Sequence, residues 1–143
     1  MRKLKIRSRQ KSLLTLTRSR QWSDRMVYVP AANQHLPYKN GRSRILYIGT
    51  TKKGAGRTAT SAVNKASEVF YKLHGVSTID VHIVTCAKRK NVQTWKRLES
   101  ALIDASRKRY FELPHYNRVR PKPTEGLLGA NALQKTVARF EPG

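Results

Sequence analysis

Apolar positions along this chain fall into runs with two different periods. Met26, Val27, Tyr28 and Val29 form a short continuous run stopped by Pro30, which predicts a first strand. Ile45, Leu46, Tyr47 and Ile48 form a second run without polar alternation, which predicts a strand covered on both faces and central in its sheet. The polar residues 31–43 between them predict an antiparallel hairpin with a long loop. A period of two puts Met26 and Tyr28 on one face of the first strand, and Ile45, Tyr47 and Gly49 on one face of the second, so the two tyrosines are expected to share a face.

Beyond Arg57 the period changes. Ala59, Ala62, Val63, Ala66, Phe70 and Leu73 recur at spacings of three and four, which predicts a helix closed by Gly75, with Arg57 and Asn64 on its other side and Ser61 near them. Ile79, Val81 and Ile83 then alternate with Asp80 and His82, a third strand in which His82 is read as solvated. A second long helix is expected over residues 91–112. After Leu113 and Pro114 the chain should turn back across the sheet through His115, Tyr116 and Asn117. Arg118, Arg120 and Lys122 alternate with Val119, Pro121 and Pro123 in an extended basic strip, and residues 126–143 form a tail with a short helix over 130–139.

Charge changes the picture most. Thirty Lys and Arg against eight Asp and Glu in 143 residues give a net charge of +22, which makes a polyanion the expected partner. Duplex DNA is the first expectation and RNA the second, either alone or in a homodimer or larger nucleoprotein complex. No apolar run spans a membrane, so a membrane partner is not expected. The length fits one core, read as a domain over residues 25–120 between a basic arm, 1–24, and a tail, 121–143. The arm carries eight cations from Arg2 to Arg20 and no acid before Asp24. An organellar transit peptide has the same composition, but a basic arm tracking phosphates in the cytoplasm is the reading taken. The single Cys86 forms no internal disulfide, and four scattered histidines offer no zinc site, which fits a reducing compartment.

Two places carry candidate chemistry. After the second strand, Gly49, Gly54 and Gly56 allow sharp turns and close backbone approach, and Lys52, Lys53 and Arg57 place three cations beside that approach. A solvated turn has the same composition, and no Walker pattern is present. The second place is Glu99. At about 100° per residue, Trp95, Val92, Leu102 and Ile103 all lie within about 60° of it, so a carboxylate stands in the middle of an apolar stripe. Such a carboxylate costs several kcal/mol unless a cation answers it. That cation is either a structural Arg or Lys, or a divalent metal held by one carboxylate with water and phosphate oxygens.

The order of these residues resembles the GIY-YIG endonuclease family over residues 26–117. The run Tyr47-Ile48-Gly49-Thr50-Thr51-Lys52 with Arg57 ten residues after Tyr47 looks like the family's second motif and its helix arginine. Met26 and Val27 stand where the family has glycine and isoleucine before its first tyrosine, the hairpin loop is longer, and Ser61 stands where many members carry an acid-base residue. The resemblance implies a small α/β domain, a three-stranded antiparallel sheet flanked by helices with basic extensions at both ends. It implies a DNA endonuclease with one metal ion, Mg²⁺ or Mn²⁺, at Glu99. Arg57 would neutralise charge on the phosphoryl group and Tyr28 would take the proton of the attacking water, with Lys52 favouring its anion. Tyr47 would position water or phosphate, and Asn117 would orient the site by hydrogen bonding. Gly49, Lys52, Lys53, Asn64, Arg118 and Arg120 would contact DNA. His74 is the rival base, read as a surface residue at a helix end. An inactive nucleic-acid-binding module of the same fold, or a basic ribonucleoprotein component, are the other readings.

Overall fold

A computed structural model describes residues 3–8, 11–12, 15, 26–51, 55–121, 126 and 128–141, without the side chains of 51 and 55–63. Its centre is β1 (Met26–Pro37), a strand of 12 residues that runs straight through Pro30. Along one edge of β1 lie β2 (Arg42–Ile45) and β3 (Gly49–Thr51), and along the other lies β4 (Ile79–Val84), all antiparallel. Among the described residues the sheet therefore has four strands rather than the three expected. The run Ile45–Ile48 is at its edge, not its centre.

The reason lies in what covers that edge. The main chain of Leu46 receives the Tyr116 N–H at 3.0 Å, and the Arg44 N–H is taken by the Phe140 carbonyl at 3.0 Å. Ile45, Leu46 and Ile48 are buried because later segments fold against them, so a continuous apolar run did not require a strand on each side. The connection between β1 and β2 is also shorter than the polar composition implied. Tyr38 N–H meets the Gly41 carbonyl at 3.0 Å, and Gly41 has φ 88°, the left-handed region a glycine tolerates. Polar residues 33–35 belong to β1, bowed out of register, with the Asn33 side chain accepting the Ser77 N–H at 3.1 Å.

Among the described residues there are three helices. Helix α1 (Ala55–Lys72) buries Val69 completely and packs Phe70 on the core, where Leu73, just past its end, joins it. Helix α2 (Thr94–Tyr110) is framed by left-handed residues, Asn91 before it at φ 59° and Phe111 after it at φ 61°. The expected helix near the C-terminus is present as α3 (Ala130–Ala138), packed on α2. The Arg109 guanidinium and the Tyr110 hydroxyl both donate to the Glu141 carboxylate, and Val137 and Phe140 enter the core. No helix among the described residues is long and apolar enough to cross a membrane. Cys86 is a free thiol.

Candidate active site

The register of the sheet creates the site. Ile45 pairs with Ala31 and Gly49 pairs with Tyr28, so four residues of the edge advance while β1 advances three. One extra residue is therefore inserted at 46–48, a bulge that reverses which face each side chain takes. Ile45 shares a face with Ala31 and Gly49 with Tyr28, and the expectation that Ile45 and Gly49 share one face is corrected. Pro30 lies opposite the bulge. Its carbonyl accepts the Leu46 N–H at 2.9 Å, but the reciprocal bond needs an N–H that proline lacks.

A bulge frees backbone groups, and the segment after Pro114 satisfies them. The Asn117 side chain takes the Ile48 N–H on Oδ1 and donates from Nδ2 to the Ile48 carbonyl, each at 2.9 Å. It acts as a one-residue strand partner to the 46–48 segment. Arg118 then reaches towards Glu68 of α1 at 3.9 Å, so this segment joins β3 to α1.

The tyrosines meet as the sequence led one to expect. Their ring centroids are 6.0 Å apart with planes inclined at 43°. Gly49 lies under both. A Cβ there would stand 2.5 Å from Tyr47 Cε1 and 2.7 Å from Tyr28 Cζ and its hydroxyl oxygen, so only glycine allows this packing. Lys65 of α1 extends its Nζ over the Tyr47 ring, 4.8 Å from the centroid, a cation–π contact that the pattern reading did not identify. Its signal was present, because Lys65 follows Ser61 by four residues and so occupies the same helix face as the arginine and serine already singled out.

Glu99 lies on the first half of α2. Trp95 and Leu98 on the same turns line one cavity with Met26 of β1, and Met26 pairs with Thr51 two residues from Gly49. The carboxylate is therefore at the end of the sheet that holds the tyrosine pair. It is half-buried, and burial raises its pKa against the opposing pull of Lys96. Among the described residues it makes no hydrogen bond and no ion pair. A divalent cation fits such a group, since it would restore the stabilisation that desolvation removes. No three His, Cys, Asp or Glu side chains gather among the described residues, so a cation here would take most of its oxygens from water and phosphate, as Mg²⁺ does.

The other expected residues are spread around this centre. Arg57 is the third residue of α1, and its side chain, like that of Ser61, is outside the described set, as are Lys52 and Lys53 altogether. Asn64 is exposed on α1, and Arg120 is exposed on the segment after Asn117, near Lys39 and Arg107. His74 is exposed beyond the end of α1. Its neighbour Gly75 touches Gln34, which puts it at the far end of β1 from Tyr28. His82 is exposed, with its ring edge on Phe140 at 5.2 Å, and partial burial lowers its pKa.

Comparison of the chain with models of protein families, with curated proteins and with solved structures finds no match.

Proposed function

We propose that this protein is a DNA endonuclease that hydrolyses phosphodiester bonds at a single-metal site of GIY-YIG type. The observation that carries this reading is Glu99: a half-buried carboxylate, its pKa raised by burial and without a partner among the described residues, in a chain of net charge +22. A divalent cation would restore the stabilisation that partial burial removes from this carboxylate.

Each residue then has a physical task. Mg²⁺ or Mn²⁺ bound at Glu99 would supply Lewis acidity to a phosphate oxygen and to the leaving oxygen. Tyr28 holds its hydroxyl above the small surface of Gly49 and takes the proton of water, while Tyr47, steadied by Lys65, orients water or phosphate. Arg57, on the first turn of α1, neutralises charge growing on the phosphoryl group. Asn117 acts through the backbone of Ile48 and so positions both tyrosines without touching the substrate. Lys52, Lys53, Asn64, Arg118 and Arg120 carry the flanking phosphates, which fix register without reading sequence.

The test is digestion of supercoiled plasmid with Mg²⁺ and with EDTA, using the native chain and Glu99→Gln. Cutting that needs metal and disappears in Glu99→Gln, with DNA binding kept, is the expected result. Cutting by Glu99→Gln at the native rate overturns the assignment. Tight binding with no cutting under either condition is what an inactive nucleic-acid module requires.

A further inference from the structure

One cavity is lined by neither tyrosine of the pair. Between the end of β4 and the start of α2 the chain turns tightly at residues 89–92, where the Val92 N–H reaches the Arg89 carbonyl at 3.2 Å and Asn91 is left-handed. Behind this turn is a cavity of about 340 Å³, within the size range of small-molecule sites. Its floor is apolar: Met26, Trp95 and Leu98 are buried, and Val92 is partly so. The lip is polar and cationic, with Thr85, Lys88 and Arg89 exposed. Cys86 also lines it, half-buried, with its Sγ directed at the Thr94 carbonyl.

An apolar floor with an indole in it and two cations at the mouth fits a ligand with a flat apolar body and an anionic end. A nucleotide has this form. Its base is a flat body that suits the apolar floor, and its phosphate answers the two cations of the lip. We propose that this cavity binds a nucleotide, base inward and phosphate at Lys88 and Arg89, and that the nucleotide is an unpaired one within a DNA strand. The second half rests on the nuclease reading, because the cavity is lined by Leu98, the residue before Glu99 on α2, and by Met26, which pairs with Thr51 at the tyrosine end of the sheet. A base drawn into it would leave its duplex and hold the neighbouring phosphates near α2.

The experiment uses the full chain with Trp22→Phe, so that Trp95 is the only indole, and runs in EDTA so that binding is read without cleavage. Trp95 fluorescence is titrated with 5′-AMP, with a paired duplex, and with the same duplex carrying one unpaired adenosine. The expected result is quenching by 5′-AMP and by the bulged duplex, with the bulged duplex about 10-fold tighter than the paired one. Thr85→Trp, which fills the mouth, and the double variant Lys88→Ala with Arg89→Ala should abolish that preference. Alkylation of Cys86 in the native chain by iodoacetamide should be slowed by 5′-AMP. Quenching by 5′-AMP with no preference for the bulged duplex overturns the DNA-borne nucleotide and leaves a free one. Absence of quenching and of thiol protection by any nucleotide overturns the proposal entirely, as does displacement of 5′-AMP by oleate at lower concentration. A chain that cuts plasmid but fails these titrations loses the cavity proposal alone, whereas one that passes them but never cuts loses the nuclease reading alone.

Discussion

The side-chain amide of Asn117 closes both backbone hydrogen bonds of Ile48, 2.9 Å on each side, and so takes the place of the strand that the bulged edge lacks. Asn117→Ala leaves two part-buried backbone groups without a partner, at a cost of about 1–3 kcal/mol each before water relieves them. We expect a lower urea midpoint and slower cutting. Asn117→Asp keeps the acceptor and replaces the donor with a charged oxygen facing a carbonyl, and it should be worse than alanine. Equal stability of all three chains would show that the amide is not holding the bulge.

Gly49→Ala should disturb the tyrosine pair, because the added Cβ meets both rings at under 3 Å. If Tyr28 is the proton acceptor, Tyr28→Phe keeps the ring and loses about 10²–10⁴-fold in the cutting step. Tyr47→Phe should lose less. Single-turnover rates for these chains beside His74→Ala decide between the two bases. A near-normal Tyr28→Phe with an inactive His74→Ala would reverse the assignment, though His74 stands at the far end of the sheet.

Glu99 makes a prediction about stability as well as activity. Burial raises its pKa, so the folded chain binds this proton more tightly than the unfolded chain does. By linkage, its contribution falls as pH rises through the raised folded value, and above that value the ionised group is a burden on the fold. Glu99→Gln should therefore raise the urea midpoint at neutral pH while removing metal-dependent cutting. A lowered midpoint would instead assign Glu99 to a structural ion pair. In the native chain at limiting metal, cutting should decline as pH falls through a value raised above the ordinary glutamate range.

The basic arm should supply affinity rather than chemistry. Each phosphate contact on duplex DNA contributes about 0.9 to the slope of log affinity against log salt. Deleting residues 1–20 should flatten that slope and leave cutting at low salt intact. An unchanged slope would place the arm away from DNA.

Several features were legible in the residues alone, because they depend on local order. The long helices follow from spacings of three and four, and a carboxylate on an apolar stripe is visible wherever helical periodicity is clear, so Glu99 could be found without coordinates. The strands were legible only in part: β1 runs on through Pro30, residues 46–48 form no strand between β2 and β3, and Val81 and Ile83 of β4 are exposed. The meeting of Tyr28 and Tyr47 was also readable, although for an incomplete reason. Simple alternation predicted it, and the bulge reversed the face of Ile45 while keeping the rings together. Which strand is central was not legible. Burial of Ile45–Ile48 comes from segments some 70 to 95 residues later in the chain, Tyr116, Asn117 and Phe140, and no local period records a partner that distant. The bulge itself needed tertiary structure for the same reason: Pro30 removes one ladder bond, but only the register of the neighbouring strand decides where the extra residue goes, and Tyr116 and Asn117 satisfy the backbone groups it frees.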